Sequence, residues 1–509
     1  MPEATVPSPG PARPQASILG TALFFLLLGA FLLLPIWLVE YPAFLDYPNH
    51  IARVFVLAHL HDSAFHFQQF YRADWGLYPY LAVDVSMLAL QRLFPVLLAG
   101  RIFLSLCVLA LPLSAWFFLR QANPGQDHLA LWALLLAHGI FFLYAFLNFY
   151  LSLPLSFLAA GLWLRYLARP RLALWCLLVL MVTALYFTHL VGFVLAGLLI
   201  TTYALFARHG IRQILFSWVP FLPGALFYVH SSRVGWGEFS NFTLRNFAGK
   251  VDGFQTIMHG YSERLDWATL LALGGFFLAA RWRNPDFRWN TRWLGVAAVL
   301  FAVYCALPWG YGEEWDLDIR VLPILFMVML ATARIGPRGW RLAPLALLLF
   351  VLRTANVTQN FVAAQPELAG LARSFDVTAP NARVLPVVEA DEDDPIRHPY
   401  AHFWAYGVVR RGWFSPYLFQ IKRVIPFRIQ YDAYSPDGFW DLSYDQSPDW
   451  AQVREDYDYV WVYNVPRFSP ELAAIGELVY EDGDLQVFRL KPADNPSARS
   501  SPKRKHIRD

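Results

Sequence analysis

The stretch LALWCLLVLMVTALYFTHLVGFVLAGLLITTYALFA, from Leu172 to Ala207, decides the fold. It holds no Asp, Glu, Lys or Arg, and His189 is its only basic side chain. An α-helix needs roughly 20 predominantly apolar residues to cross the hydrocarbon core of a bilayer. The stretch therefore reads as two such helices, 172–188 and 190–207, joined by an uncharged turn at His189. Similar runs fall at 18–39, 97–119, 128–147, 149–167, 211–229, 267–280, 293–309, 320–333 and 341–356. Together they predict a polytopic α-helical membrane protein with about eleven transmembrane helices.

Composition agrees. The chain is 57% hydrophobic, 17% aromatic and only 16% charged, which is not a soluble composition. The net charge of +3 carries no message, because Arg residues sit between apolar runs and Lys is nearly absent. No basic stripe suits nucleic acid. Cys107, Cys176 and Cys305 all fall inside apolar runs and read as small buried hydrophobes, neither disulfide-forming nor metal-binding.

The positive-inside rule orients the chain. With the N-terminus cytoplasmic, the inner connections carry Arg120, then Arg165, Arg169 and Arg171, then Arg208 and Arg212. Further on they carry Arg281, Arg283, Arg288 and Arg292, then Arg334, Arg338 and Arg341. The short outer turns near Asn148 and His189 carry no Lys or Arg. Residues 1–17 are Pro- and Ala-rich and read as a disordered cytoplasmic N-terminus, and the run after them as a retained first span. The transmembrane part covers 18–357, with outer loops at 40–96, 231–265 and 309–320 that are rich in Trp and Tyr, including Trp236. The first loop, with Phe65-His66-Phe67 and Tyr78-Pro79-Tyr80-Leu81, reads as interfacial helices.

After about Val357 the pattern changes to a small soluble α/β domain, 358–492, placed outside the membrane. Strands are expected at 382–388 and 458–463, and helices near 399–411 and 449–457. Residues 478–489 carry an Asp-Gly turn between alternating apolar residues, the signature of a hairpin. The basic tail 493–509 reads as disordered.

The first outer loop opens Asp46-Tyr47-Pro48-Asn49-His50-Ile51-Ala52-Arg53. If Pro48 starts a helix, Asn49, His50 and Arg53 share a face with Asp46 at its mouth. A carboxylate there serves as general base or metal ligand, an imidazole ligates metal or shuttles protons, and a guanidinium holds phosphate. The plainer alternative makes Asp46 a helix N-cap and the rest a solvated face. Arg320 follows an acidic turn where a helix re-enters the membrane; it either meets a lipid phosphate or snorkels to the headgroups. Arg353, near the outer end of the last span, is a second candidate for phosphate. His138, near mid-membrane, reads as a neutral imidazole bonded to a backbone carbonyl. No P-loop, GxSxG, HExxH or CxxC occurs, against ATP-driven, serine-hydrolase and zincin mechanisms.

A first span, a long outer loop opening on an Asp, many further spans, a later Arg at an outer helix start and a soluble C-terminal domain resemble the GT-C glycosyltransferases. That superfamily includes protein O-mannosyltransferases and the aminoarabinose transferase of lipid A. Asp46 to Arg53, Tyr78-Pro79-Tyr80, His189 and Arg320 carry the resemblance, which covers the whole chain in outline. It implies transfer of a sugar from a polyprenyl-phosphate carrier in the bilayer to an envelope glycan, lipid or protein. The setting is the periplasmic face of a bacterial inner membrane. Asp46 and His50 would be catalytic, and Asn49, Arg53, Tyr80, His189, Arg320 and Arg353 would bind substrate. A divalent metal, Mg or Mn, would sit at Asp46 and His50. These enzymes often pair acids in the first loop; here His50 follows Asp46, and Glu40 or Asp74 would supply a second acid. The rival readings are a lipid or polysaccharide transporter or flippase, and a non-catalytic envelope-assembly protein. A transporter would show matching interrupted helices in two halves, and no halves match.

Overall fold

The computed structural model describes residues 18–232, 242–283, 287–311, 315–335, 339–389, 399–422, 424–436 and 447–492. The N-terminal 1–17, the tail 493–509, Trp236 and Arg338 lie outside the described residues.

Apolar runs become helices because an α-helix satisfies every interior backbone group within one segment, which hydrocarbon demands. Among the described residues four helices are long and apolar enough to cross a membrane: Val96–Ala122, Leu147–Ala168, Ile211–Ser231 and Ala343–Val377. Shorter apolar helices include Leu172–Thr188, Leu190–Phe206, Thr291–Ala306 and Ile319–Thr332. Their outward faces are aliphatic: Leu180, Leu226, Leu271 and Leu278 are 63%, 67%, 71% and 69% exposed. Such a continuous exposed apolar surface suits lipid and not water. The chain is a polytopic α-helical membrane protein.

Two sequence expectations change. The run 128–147 is not a regular α-helix; it is a 3₁₀ helix Asp127–Leu136 followed by the short helix Ile140–Leu143. At about 2 Å per residue a 3₁₀ segment covers more length than an α-helix does. This run is enclosed by protein along almost its whole length, from Leu129 to Leu143, so it is apolar because it is core and not because it meets lipid. The cysteines differ too: Cys107 is buried, but Cys176 and Cys305 are exposed on the outer flanks of their helices. In hydrocarbon a thiol on an outward face has no water to avoid.

The C-terminal part forms a four-stranded sheet in the order Val384–Val388, Tyr459–Tyr463, Leu485–Leu490, Gly476–Asp482. The first two strands are parallel and the others antiparallel. The expected hairpin turns at Gly483, whose φ of 58° is left-handed and suits glycine. Helices Ala405–Arg411 and Trp450–Asp456 fall where helical pattern was read.

This part is stitched to residues 40–96. Tyr71–Ala73 pairs antiparallel with Phe427–Ile429. The Tyr71 hydroxyl donates to the Ser415 carbonyl at 3.1 Å and accepts from its amide at 2.9 Å. Asn381 donates to the Ala64 carbonyl at 2.8 Å. The first loop holds helices Tyr47–Ala58 and Leu81–Gln91, as its interfacial pattern suggested. The first is not a surface helix, since every residue from Tyr47 to Val56 is buried beneath the C-terminal sheet's connections.

Candidate functional site

Asp46 precedes the Tyr47–Ala58 helix, whose first turn takes Pro48 at no hydrogen-bond cost because amides there have no helical partner. Its backbone is fixed from both sides: the Asp46 amide donates to the Tyr144 carbonyl at 3.1 Å, and its carbonyl accepts from His50 at 3.1 Å. The carboxylate makes no cap bond. It points instead at His402 of the C-terminal part, with Nε2 3.5 Å from Oδ1. Burial pushes the Asp46 carboxyl up to about 8, against the opposing pull of Arg53. Burial likewise holds the His402 imidazole down at about 3. His50 lies beside them; both imidazoles meet the Phe419 ring edge-on, at 5.6 and 5.0 Å. Burial, then Arg53 and His402, keep His50 well below the usual histidine range, and its Nδ1 is buried with no hydrogen-bond partner among the described residues.

Asn49 and Arg53 do not join them. Asn49 clasps the 417–419 backbone, donating to the Tyr417 carbonyl at 3.0 Å and accepting from the Phe419 amide at 2.8 Å. Arg53 turns to the neighbouring helix and pairs with Asp84 at 2.6 Å, both fully enclosed. A guanidinium neutralised in this way holds the two helices together. Arg353 is likewise engaged: it bonds Asp266 at 2.7 Å and the Met258 carbonyl, tying the Ala343–Ala363 helix to the start of the Glu263–Arg283 helix and the residues before it. His138 bridges the Leu32 carbonyl and Thr354, each at 3.1 Å, which is the structural role its position suggested.

Tyr80, His189 and Arg320, far apart in sequence, meet. Thr188 ends one helix and Leu190 starts the next, so His189 sits in the break with extended backbone, and its Nδ1 accepts from the Val191 amide at 3.1 Å. The Tyr80 ring stacks on the imidazole at 4.5 Å. Arg320 Nη1 lies 3.0 Å from His189 Nε2, while Nη2 donates to the Trp315 carbonyl at 2.9 Å. The guanidinium lies over the rings of Phe146 and Phe149 at 5.6 and 5.5 Å. Arg320 is 5% exposed, whereas a snorkelling arginine keeps its head in water.

One short segment joins the two clusters. Tyr144 anchors Asp46 through its carbonyl, Tyr144 packs on Phe146 at 5.3 Å, and Phe146 lies under Arg320. Asp46 and Arg320 thus flank one turn, in which Ala145 takes a left-handed φ of 55°.

Among the described residues no group of three or more His, Cys, Asp or Glu side chains is arranged to hold a metal ion. Asp46 and His50 would supply two donors to such an ion, and the rest of a Mg shell is ordinarily water and substrate phosphate. Of the proposed second acids, Asp74 is engaged with Arg428 at 3.8 Å, and Glu40 lies beside Tyr41. The member of this cluster that the sequence reading missed is His402; nothing local marks it, because only the stitching of the two ends of the chain brings it to Asp46.

No protein-family model matches the chain, and no curated protein does. Two crystal structures of ArnT from Cupriavidus metallidurans share its fold, one in the apo state and one bound to undecaprenyl phosphate. Each is 13% identical, and each alignment covers 93% of this chain and 98% of ArnT, with TM-scores of 0.50 and 0.52. The likeness to ArnT is one of fold.

Proposed function

We propose that this chain is a GT-C membrane glycosyltransferase that moves a sugar from a polyprenyl-phosphate carrier to an envelope acceptor. It would work at the periplasmic face of a bacterial inner membrane, with about eleven spans, a cytoplasmic N-terminus and a periplasmic C-terminal domain over residues 358–492.

One observation carries the reading. A neutral imidazole has one acceptor nitrogen, yet the Val191 amide and Arg320 Nη1 both direct N–H groups at the His189 ring. With Nδ1 accepting from Val191, Nε2 bears the proton and faces another donor. An anionic oxygen that reaches both groups accepts from both and relieves that opposition, and a phosphate supplies it. The rings of Phe146, Phe149 and Tyr80 keep the place dry, which strengthens each charge-assisted bond.

The chemistry then divides across the 144–149 turn. The Asp46 carboxylate takes the proton of the acceptor hydroxyl, whose oxygen bonds to the anomeric carbon. The bond from that carbon to the phosphate oxygen breaks, and the charge leaves on the polyprenyl phosphate. Arg320 and His189 stabilise that departing charge. A base with a pKa near the working pH suits this step. His402 faces Asp46 and fixes the carboxylate's direction. Asp46 and His50 would hold a divalent cation if one binds, with water and phosphate completing its shell; the step written here runs through side chains alone, so chelation should leave turnover unchanged.

The test is transfer from an undecaprenyl-phosphate-linked sugar by the full chain in membranes, compared with Asp46→Asn. Asparagine keeps the size and hydrogen-bonding capacity of aspartate but is no base, so transfer should vanish while insertion stays normal. Full activity of the variant would remove Asp46 from the chemistry. Thin-layer analysis of glycolipids from a deletion strain would identify the sugar and the acceptor.

A further inference from the structure

Arg320 is carried by a strained turn, and the parts that hold this turn come from another loop. Asp316 has a left-handed φ of 56°, a conformation that non-glycine residues adopt only where the surroundings hold it. Its carboxylate accepts from Arg245 Nη2 at 2.9 Å and from the Trp309 indole at 2.8 Å. Arg245 also lies over the Trp309 ring at 5.6 Å. Two residues on, Asp318 is fully buried and caps the Ile319 amide at 2.9 Å, which fixes the start of the short helix that contains Arg320.

Lys250 is the centre of this arrangement. Its ammonium donates to Asp318 at 2.7 Å and to the Tyr304 and Leu307 carbonyls at 2.9 and 2.7 Å. Three donors meet three acceptors, so a charge that is 11% exposed is fully matched. The Leu307 carbonyl belongs to the end of the Thr291–Ala306 helix, where a cation is favoured. The helix Phe247–Thr256 that carries Lys250 also presses directly on the neighbour of Arg320. A Cβ on Gly253 would lie 3.2 Å from Ile319 Cγ2 and closer still to the Tyr304 hydroxyl. Only glycine permits that approach.

We propose that Lys250 is a positioning residue for Arg320. Through Asp318 it sets the turn that aims the guanidinium at His189 and at the lipid phosphate, without touching the phosphate itself. The second outer loop thereby tunes the affinity of the phosphate site. This rests on the reading of Arg320 as the phosphate ligand, and the experiment separates the two.

Binding of undecaprenyl phosphate to the full chain in nanodiscs is measured for wild type, Lys250→Met, Arg320→Ala and the double variant. Lys250→Met should weaken binding roughly tenfold, equivalent to about 1.4 kcal/mol. Arg320→Ala should weaken it at least as much. A positioning residue has nothing left to position once Arg320 is gone, so in that background Lys250→Met should add less than about twofold. A general structural defect would instead lower binding by the same factor in both backgrounds. No loss in Lys250→Met, or the full loss repeated beside Arg320→Ala, overturns the positioning role and leaves the phosphate reading intact. Unchanged binding in Arg320→Ala overturns the phosphate reading, and the positioning role with it. If Lys250→Met does not fold, Asp318→Asn, which keeps an oxygen for the Ile319 amide but loses the charge, takes its place in the same cycle.

Discussion

The environment of Asp46 makes a prediction about pH that is unusual for a carboxylate. Burial at the mouth of the Tyr47–Ala58 helix, beside His402, raises the Asp46 carboxyl from 3.8 to about 8, in spite of Arg53. If Asp46 is the base, the active form is the ionised one. Then kcat/KM should fall about tenfold for each pH unit below 8 and level off above it. At neutral pH only about a tenth of the protein would carry the base in its active form. The sign for stability is opposite. The fold favours the protonated acid, so its contribution is fully present below about 4 and is lost as pH rises through 8. Activity should therefore climb over the same range in which the melting temperature slips. The assay is turnover of an undecaprenyl-phosphate-linked sugar in nanodiscs from pH 5 to 9.5, with melting followed in parallel. A rate that is flat from pH 5 upward would mean that Asp46 titrates near 4, in contact with water, and that the buried pairing with His402 is wrong.

Other outcomes follow from individual contacts. Arg320→Lys keeps the charge but loses the planar fork and should lower turnover partially, while Arg320→Ala should cost roughly ten- to a hundredfold or more. Lysine equal to wild type with alanine losing less than about threefold would make Arg320 an anchor. Arg353→Met strands Asp266 inside the protein and should destabilise the fold by about 3–5 kcal/mol. Undecaprenyl phosphate binding by the variant that still folds should stay unchanged, and specific loss of binding at full stability would return Arg353 to the site. A reporter active only in the cytoplasm, fused after Leu490, should be silent, and activity there would invert the topology.

The sequence alone determined whatever depends on neighbours along the chain. A run such as 172–188 needs no partner to be a membrane helix, because the bilayer is its solvent. The hairpin at Gly483 follows from turn chemistry, and the 384–388 and 459–463 strands from short apolar runs. Tyr80, His189 and Arg320 were legible as candidates because each is a polar or aromatic group where hydrocarbon meets water. Their meeting was not legible, since it depends on how helices separated by more than a hundred residues pack. The same limit explains Arg53 and Arg353. An arginine at the outer surface looks available for phosphate until a partner such as Asp84 or Asp266 is found across the fold. Run 128–147 shows the limit for apolar patterns, because hydrophobicity cannot tell a helix facing lipid from a segment enclosed by protein. His402 is the clearest case. Only tertiary structure, through the pairing of Tyr71–Ala73 with Phe427–Ile429, brings an imidazole from the end of the chain to a carboxylate near its beginning.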